Sequence, residues 1–306
     1  MAFQADKIWF DGKFVDWDKA SVHVLSHALH YGTCAFEGVR AYKAKQGAVI
    51  MRLRDHLKRL AETCVIYRIP VTYSIEDLER AAAETLKVNK LDGAYIRPFI
   101  FRGFGELGVN PQKCPVHTVI AAWDWGKYLG PEALEKGVSV CVSSWRRAAP
   151  DTFPTLAKAA CNYMNSQLIK LEALENGYDE GLALDSYGYL SEGSGENVFL
   201  VKNGKIFTPP SSSALLPGIT RHSVIKLARS LGYVVEQQQI VREALYTADE
   251  IFLTGTAAEV TPVTKVDKIA IGGGTRGPIT RAIQERFFAI IGGEAADEFG
   301  WLTQVS

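Results

Sequence analysis

A glycine- and proline-containing segment near the middle of the chain most limits how it can fold. The text WDWGKYLGPEA follows one strand-like run, HTVIAAWDW, and precedes another, VSVCVSSW. Two glycines and a proline at such a position interrupt regular structure and indicate a connection between domains. A chain of 306 residues is long enough for two cores. We therefore predict one domain over residues 1–123, an interdomain loop over 124–134 and a second domain over 135–306.

Short strands alternate with helices on both sides of this connection, and no period repeats. This pattern predicts mixed α/β or α+β domains rather than a solenoid. Asp11-Gly12 and Asn203-Gly204 separate strand-like runs and predict two hairpins with two-residue turns. Ser74 and the acidic residues after it resemble a capping box, which predicts a helix that runs to about Val88.

The charge balance points away from nucleic acid and anionic membranes as partners. Lys plus Arg and Asp plus Glu both number 34, so the formal net charge is zero. No apolar run approaches the roughly 18 residues of a membrane helix, and the start lacks the order of a signal peptide. The five cysteines are odd in number and widely spaced, which argues against a disulfide framework. We predict a cytoplasmic protein with reduced thiols.

Three histidines near the N-terminus have spacing that suits a metal. His23, His27 and His30 follow helical intervals, yet no acidic or thiol partner accompanies them in the segment. Val22 and Val24 alternate around His23 as in a strand. A metal site is therefore the weaker interpretation, although a metal-dependent hydrolase stays open as an alternative function.

Two segments of the first domain suggest a ligand site. The text YGTCAFEGVR, from Tyr31 to Arg40, mixes glycines, aromatics, a glutamate and an arginine, as a ligand wall does. On a buried strand farther along, Tyr95 and Arg97 share one face because strand side chains repeat every two residues. A phenol beside a guanidinium is suited to hold a carboxylate.

A helix predicted over Asp55 to Tyr67 carries basic side chains, including Arg59, with two open interpretations. They form a solvated face, or one of them reaches inward to an anion.

One lysine lies in small, mostly uncharged company. In the text LAKAACNY, Lys158 is surrounded by alanines and followed five positions later by Tyr163. A free lysine has a neutral amine in only about one of two thousand molecules at neutral pH, and desolvation raises that fraction. This is what a Schiff-base lysine requires. The alternative is a lysine whose stem lies along a helix and whose amine reaches water.

Anion and carboxylate sites follow in the second domain. Glu192 and Glu196 are bracketed by glycines in a bend, where they face either solvent or a ligand. The text ALLPGITR enters a helix whose first amides, with Thr220 as a capping hydroxyl, form an anion site. The turn after Leu253, TGTAAE, is rich in hydroxyls and suits a second side of the same phosphate.

A glycine pattern at Gly272, Gly274 and Gly277 has dinucleotide-binding spacing. Too little chain remains for a second strand, so we interpret it as a turn before a helix.

Together these residues are the parts that hold pyridoxal phosphate. The aldehyde needs a lysine, the phosphate needs helix-start amides, hydroxyls and an arginine, and the ring nitrogen needs a carboxylate. Lys158 supplies the first; Arg59, Thr220 and Thr256 supply the second; Glu192 supplies the third.

The chain resembles a known family in these segments. YGTCAFEGVR, YIR, the lysine stretch, YLSEGSGENVF, ALLPGITR and GTAAEVTPV occur in this order and look like the branched-chain amino acid aminotransferases of the fold type IV pyridoxal phosphate enzymes. The resemblance covers about Ile8 to the C-terminus. It implies a small N-terminal α/β domain, a larger C-terminal domain and a cofactor in the crevice between them. It also implies a homodimer, or a trimer of such dimers, whose active sites are completed across subunits.

The resemblance assigns roles residue by residue. Lys158 would join the cofactor and shuttle the substrate proton. The implied cofactor-binding residues are Arg59, Lys158, Tyr163, Glu192, Leu216, Ile219, Thr220 and Thr256. The implied substrate-binding residues are Tyr31, Phe36, Gly38, Arg40, Tyr95, Arg97, Leu107, Val109, Tyr128, Thr256 and Ala257, with Tyr31, Leu107 and Val109 coming from the neighbouring subunit.

The implied reaction moves an amino group between L-leucine, L-isoleucine or L-valine and 2-oxoglutarate. Other members of the fold act on D-amino acids, R-amines or aminodeoxychorismate, and they differ mainly at the carboxylate-binding positions. A D-amino acid or R-amine transaminase is one alternative. A cofactor-free Schiff-base lyase and the metal-dependent hydrolase are alternatives of other classes.

Overall fold

The computed structural model describes residues 5–126, 129–130 and 132–305. Its strands, in chain order, are β1 (Lys7–Phe10), β2 (Lys13–Asp16), β3 (Cys34–Phe36), β4 (Val39–Ala44), β5 (Gly47–Met51), β6 (Ala94–Arg102), β7 (Val116–Trp123), β8 (Val138–Val142), β9 (Glu180–Leu184), β10 (Leu190–Gly193), β11 (Asn197–Lys202), β12 (Lys205–Thr208), β13 (Val235–Gln237), β14 (Glu250–Gly255), β15 (Glu259–Val266), β16 (Ile269–Ala270) and β17 (Leu302–Gln304). Its α-helices are α1 (His27–Tyr31), α2 (Leu53–Ile66), α3 (Ile75–Val88), α4 (Ala133–Lys136), α5 (Tyr163–Glu175), α6 (Ile219–Ser230) and α7 (Pro278–Ile291).

The chain divides into two compact units. The first contains the chain up to Gly126, the short segment Ala157–Cys161 and the chain from Ile290 onward. The second contains the described residues between Gly126 and Ala157, together with Asn162–Ala289. Both units combine helices with a sheet, so the predicted mixed α/β class is confirmed.

The first unit is an antiparallel sheet covered by α2 and α3. Its strand order is β17-β5-β4-β6-β7-β1-β2, and β3 also pairs with β6. Leu53, Leu57 and Leu60 repeat at helical intervals along α2 and are fully buried, as is Leu86 of α3. Such a stripe packs the helix onto the apolar face of the sheet.

The second unit is a mixed sheet in the order β10-β9-β8-β15-β14-β11-β12-β13, with β16 against β15. β8 runs parallel to β9 and to β15, and β12 runs parallel to β13. Val198, Leu253 and Val263 are almost completely buried in its core.

Several local predictions are confirmed. Asp11 and Gly12 both have positive φ between β1 and β2, as do Asn203 and Gly204 between β11 and β12. Ser74 caps α3 in a reciprocal capping box.

The predicted glycine turn before a helix is present too. Gly272 and Gly274 have positive φ, and α7 follows. Glu250 accepts hydrogen bonds from the amides of Ile279 and Thr280 at 3.0 and 2.8 Å, so a carboxylate neutralises the helix start.

Two local predictions are wrong. Thr220 is not the cap of α6; the capping position is Gly218, whose backbone is extended, and Thr220 is the second helical residue. The alternation around His23 is not a strand, because residues 21–26 contain no strand and include a turn at Val24 and Leu25 before α1.

The unit limits differ from the predicted domains at two places. Residues 302–304 pair with β5 of the first unit, with Leu302 opposite Met51, although they were predicted in the domain over 135–306. The Ala157–Cys161 segment also lies in the first unit, where Ala159 bridges to Ala35. Both pairings join residues more than a hundred positions apart, which local sequence patterns do not encode. The division after Gly126 falls inside the predicted loop over 124–134.

Among the helices of the described residues, none is long and apolar enough to cross a membrane.

Candidate active site

The backbone of Lys158 is fixed in the first unit beside β3. Its amide donates to Thr63 Oγ1 at 3.0 Å, and its carbonyl accepts from the amide of Phe36 at 3.0 Å. Thr63 is buried on α2, so the lysine is tied to a helix on one side and to the sheet on the other. The amine therefore extends from a rigid base, which is the arrangement that a catalytic group requires.

The Lys158 side chain is partly buried and lies beside an aromatic ring. Nζ is 4.8 Å from the centre of the Phe36 ring. Burial lowers the pKa of Lys158 to about 8; the negative charge of Glu37 opposes this shift, and the Arg59 guanidinium adds to it. An amine with that pKa is neutral in about one molecule in ten at pH 7, far more than an exposed lysine. The surroundings of Lys158 therefore support its interpretation as a desolvated lysine rather than as a surface lysine.

Arg59 is buried and forms an ion pair. On α2, its Nε donates to Glu37 Oε1 at 2.6 Å and its Nη2 donates to Glu37 Oε2 at 2.9 Å. His56, one helical turn earlier, shares Glu37 Oε2 through Nδ1 at 2.7 Å. The solvated-face interpretation is wrong for Arg59, which reaches inward to an anion as the second interpretation required.

Tyr95 and Arg97 form the predicted pair. They lie on one face of β6, and Arg97 Nη2 donates to Tyr95 Oη at 3.2 Å. The Arg97 guanidinium is also 5.0 Å from the centre of the Phe36 ring and 5.9 Å from that of Trp123. Arg97 Nε is buried and has no hydrogen-bond partner among the described residues. A cation with an unsatisfied buried donor, set among aromatic rings, is suited to accept a carboxylate.

Gly38 leaves the space that Tyr95 occupies. A Cβ built on Gly38 would lie 1.8 Å from Tyr95 Oη and 2.6 Å from Cζ. The Tyr95 ring has little room to move, since it packs edge-on against Trp125 with centres 4.5 Å apart. Gly38 is therefore required for the position of the phenol.

We expect Gly38→Ala to displace Tyr95 and to break its contact with Arg97. The substitution should cost about 1–3 kcal/mol of stability and lower kcat/KM about tenfold or more for the substrates that the resemblance implies. Thermal unfolding and steady-state assays measure the two effects. Gly93→Ala is the matched control, because its Cβ would meet atoms no closer than 3.7 Å. Equal activity in the two variants would contradict the role of Gly38.

The other predicted substrate residues of the first unit are more dispersed. Arg40 donates to the carbonyl of Gly126. Tyr31, Leu107 and Val109 are exposed in this chain, Val109 by 85%. The predicted Tyr128 lies outside the described residues.

The three histidines each make separate contacts. His27 is buried, with Nε2 at 2.8 Å from the carbonyl of Gly108 and Nδ1 at 2.9 Å from Thr33 Oγ1. His30 Nε2 is 3.0 Å from the carbonyl of Val24, and His23 stacks on Phe104. Within the described part of the chain, no group of three or more His, Cys, Asp or Glu side chains is placed to hold a metal.

Glu192 is a buried carboxylate at the centre of a network in the second unit. Its Oε1 pairs with Arg147 Nη2 at 2.8 Å, and both side chains are less than 10% exposed. Its Oε2 accepts from the amide of Leu216 at 3.0 Å and from Asn197 Nδ2 at 3.2 Å. Arg147 Nη1 donates to Asn165 of α5 at 2.8 Å, two residues after Tyr163. The solvent-facing interpretation of Glu192 is therefore wrong.

Asn197 links the two segments of this unit that carry the predicted phosphate residues. Asn197 Nδ2 also donates to the carbonyl of Leu216 at 2.9 Å, which fixes the chain just before α6. In the sheet, Asn197 of β11 lies opposite Thr254 of β14. Thr254 leads into the turn that carries Thr256 and Ala257, so the same asparagine joins the approach to α6 and the hydroxyl-rich turn. Ile219 and Thr220 are buried in the first turn of α6.

Glu196 is buried as well. Burial raises its pKa to about 8, and the charge of Glu180 adds to the shift. It is therefore mostly a neutral carboxylic acid at neutral pH, unlike a solvent-facing glutamate.

Two buried charged residues of these networks were missed by the sequence analysis. Glu37 lies inside the ligand-wall segment, but nothing in the sequence distinguishes it from a surface glutamate. Arg147 lies in an unremarkable SSWRRAAP text. Each becomes visible only through a partner that is 22 or 45 positions away, Arg59 or Glu192.

The chain belongs to the class IV aminotransferases, whose family model, described as "Amino-transferase class IV", matches residues 34–266. Among its relatives, the branched-chain-amino-acid aminotransferase of Escherichia coli strain K12 is 53% identical over 304 residues, which cover 99% of this chain and 98% of that protein. The predicted family and fold are confirmed.

Solved structures of similar proteins cover nearly the whole chain. The crystal structure of the Escherichia coli branched-chain amino acid aminotransferase has a TM-score of 0.98 and 53% identity, covering 99% of this chain and 100% of the other. A T.th. branched-chain amino acid aminotransferase, complexed with N-(5'-phosphopyridoxyl)-L-glutamate, has a TM-score of 0.94 and 44% identity and covers 99% of both chains.

Proposed function

We propose that this protein is a branched-chain amino acid aminotransferase that uses pyridoxal 5'-phosphate to exchange amino groups between L-leucine, L-isoleucine or L-valine and 2-oxoglutarate. The observation that carries the proposal is the position of Lys158. Its amine has a pKa lowered to about 8 and lies over Phe36, in a unit that also holds the Tyr95 and Arg97 pair. The metal-dependent hydrolase and the cofactor-free lyase gain no support, since the histidines are engaged separately and the class uses pyridoxal phosphate.

The donor set of the two units suits this cofactor. Lys158 offers a nucleophilic amine for the aldehyde, and Arg59 offers a guanidinium for the phosphate. In the second unit, the start of α6 presents backbone amides, with Ile219 and Thr220, that suit a phosphate. Glu192 offers a carboxylate that Arg147 keeps ion-paired. We propose Tyr163, Leu216 and Thr256 as further cofactor-binding residues, as the resemblance implies.

When bound, pyridoxal phosphate supplies an aldehyde that takes up the amino group and a ring that accepts the electrons released at the substrate Cα. Lys158 removes the proton from Cα and returns it, for which a pKa near the working pH is best. Glu192 holds the proton on the ring nitrogen by its negative charge. Phe36 provides an apolar face 4.8 Å from the Lys158 amine.

The two substrates differ in side-chain polarity, and Arg97 is suited to the polar one. Its guanidinium lies among the rings of Phe36, Tyr95 and Trp123, which also suit an aliphatic chain. The structure of the T.th. enzyme is a complex with N-(5'-phosphopyridoxyl)-L-glutamate. We propose that Arg97 binds the side-chain carboxylate of glutamate, while Phe36 faces the aliphatic chain of leucine.

Arg97→Leu should impair glutamate far more than leucine. The loss of a charge-assisted hydrogen bond is worth about 1.5–3 kcal/mol, which corresponds to a ten- to hundredfold fall in kcat/KM for glutamate. Half-reactions with each amino acid, followed by absorbance, measure this ratio. Lys136→Leu, at an exposed lysine, is the control for loss of a positive charge. Equal losses for leucine and glutamate would indicate that Arg97 contributes to packing of the site and not to binding of the glutamate side-chain carboxylate.

The oligomer is also a proposal. Tyr31, Leu107 and Val109 are exposed in the single chain, and an exposed apolar group such as this marks an interaction surface. We propose a homodimer in which these residues reach the substrate pocket of the partner subunit. Sedimentation of the purified protein tests the dimer and any trimer of dimers. A cytoplasmic location stays a prediction.

One absorption spectrum tests the whole proposal. Purified protein should be yellow, with a near-visible band that L-leucine or L-glutamate discharges and a branched-chain 2-oxo acid restores. D-alanine and an R-amine are the controls for the other activities of the fold. A colourless protein that ignores added pyridoxal phosphate and is inhibited by a chelator would overturn the proposal in favour of a metal enzyme.

A further inference from the structure

Glu37 is a buried anion of the first unit to which neither the sequence motifs nor the family resemblance gives a role. It follows β3 and is 0% exposed. Its amide donates to the carbonyl of Pro98 at 2.8 Å, so its backbone is held by β6. Removing a carboxylate from water is strongly unfavourable unless it is paired and hydrogen-bonded. A chain that keeps such a group must hold it with specific partners.

The partners of Glu37 come from one face of α2. Arg59 grips both carboxylate oxygens, at 2.6 and 2.9 Å, and His56 adds a third contact at 2.7 Å. Burial alone would raise the pKa of Glu37, but Arg59 and His56 hold it below its usual range. Burial lowers the pKa of His56, so its ring is neutral and donates its Nδ1 proton to the carboxylate. The cluster therefore contains one anion and one guanidinium.

The two-point contact restricts the Arg59 side chain. An arginine loses side-chain entropy when it is fixed, and an ion pair that already fixes it lowers the cost of binding another anion. The contact uses Nε and Nη2, so Glu37 holds two of the three guanidinium nitrogens. A guanidinium held in this way presents its donors in one orientation.

Glu37 also lies close to the reactive lysine in the fold, because the amide of the preceding residue, Phe36, donates to the carbonyl of Lys158 at 3.0 Å. The charged and titratable groups that act on Lys158 include Glu37, Arg59, His56, Tyr95 and Arg97. Among these groups Glu37 is the carboxylate, and its charge opposes those of Arg59 and Arg97. The same carboxylate therefore contacts the proposed phosphate residue and tunes the proposed Schiff-base residue.

We propose that Glu37 is a positioning residue that orients Arg59 for the phosphate of the cofactor and balances the positive charges around Lys158. The inference rests on the proposed function, since it assumes that Arg59 binds that phosphate. A different role predicts the opposite result. If Glu37 only neutralised Arg59, its removal would make the site more positive and would strengthen phosphate binding.

The test compares two ligands that differ only in the phosphate. Cofactor-free protein is titrated with pyridoxal phosphate and with pyridoxal, and the ratio of the two affinities is measured by absorbance. We expect the wild type to prefer the phosphorylated ligand, and Glu37→Gln to lose about tenfold or more of that preference because a charge-assisted two-point contact is lost. Glu37→Asp, which keeps the charge, should regain part of it.

His56→Asn is the matched control. It keeps a side-chain N–H donor beside Glu37 and leaves the contact with Arg59, so its ligand ratio should stay near that of the wild type. It also serves if Glu37→Gln fails to fold, because an unchanged ratio in His56→Asn together with a reduced ratio in Glu37→Asp still supports the proposal. A ratio that falls equally in His56→Asn and Glu37→Asp would overturn it.

A second readout concerns Lys158. In cofactor-free protein, the pH dependence of Lys158 modification by an amine reagent reports its pKa. Glu37→Gln should move the midpoint to lower pH, since an anion that favours the protonated amine is removed. An unchanged midpoint would overturn the charge-balancing role.

Failure of the proposal and failure of the function are distinguishable. A wild-type ratio near one would refute phosphate recognition, and with it both proposals. A strong wild-type preference that Glu37→Gln retains or increases would refute the role of Glu37 alone.

Discussion

Replacing Lys158 with methionine should abolish transamination and, in the cofactor-free protein, increase stability at neutral pH. Methionine keeps the length and the apolar stem of the side chain but has no amine to join the aldehyde or to move the Cα proton. We expect kcat/KM for leucine to fall by about a thousandfold or more. Lys136→Met, at an exposed lysine, should leave activity unchanged.

The stability effect has a defined pH range. Unfolded Lys158 has the ordinary pKa of 10.5, whereas the folded residue has a pKa of about 8. Between these values the unfolded state binds more protons, so stability of the wild type rises with pH across this window, and below pH 8 the burial cost is fully present. The cost is up to about 3 kcal/mol. Lys158→Met should therefore melt at higher temperature than the wild type at pH 7, and this advantage should vanish above about pH 10.5.

Borohydride reduction identifies the covalent residue independently. Reduced holoenzyme should carry the pyridoxyl label on the peptide that contains Lys158, and Lys158→Met should carry none. A label on another lysine would refute the assignment, whatever the activity of the variant.

Local features of this fold were predictable because their causes are local. The turns at Asp11-Gly12 and Asn203-Gly204 need positive φ in two successive residues, and the sequence shows this directly. The capping box at Ser74 spans four residues. The pair of Tyr95 and Arg97 follows from the two-residue repeat of a strand. In each case one short segment contains both the signal and its partner.

The features that could not be predicted depend on distant partners. The C-terminal strand pairs with β5 across some 250 positions, as Gln304 opposite Val49 shows. Glu37 and Arg147 become site residues only because Arg59 and Glu192 are brought to them. The cap of α6 is Gly218 rather than Thr220. Position 218 requires a glycine because a Cβ there would lie 1.9 Å from Asn197 Oδ1. Asn197 belongs to β11, so the local sequence around α6 does not predict this contact.

Substitutions at the pair of Arg147 and Glu192 should separate stability from catalysis. Arg147→Met leaves a buried carboxylate without its cation, which should cost about 3–5 kcal/mol of stability. Glu192→Gln removes the negative charge but keeps acceptors for the Leu216 amide and Asn197. The double variant has neither charge, so its stability should exceed the value obtained by adding the two single losses. Arg242→Met breaks the more exposed ion pair with Asp267 and should cost less than about 1 kcal/mol.

Activity should follow a different order from stability in this series. Glu192→Gln loses the charge that holds a proton on the ring nitrogen, and we expect a fall in kcat of about a hundredfold or more. The double variant should remain as inactive as Glu192→Gln even though it unfolds at higher temperature than Arg147→Met, because restored packing does not restore the carboxylate. Urea unfolding and single-turnover assays with saturating pyridoxal phosphate measure the two quantities. If the activity of the double variant recovered along with its stability, Glu192 would be a structural residue and another group would have to act on the ring nitrogen.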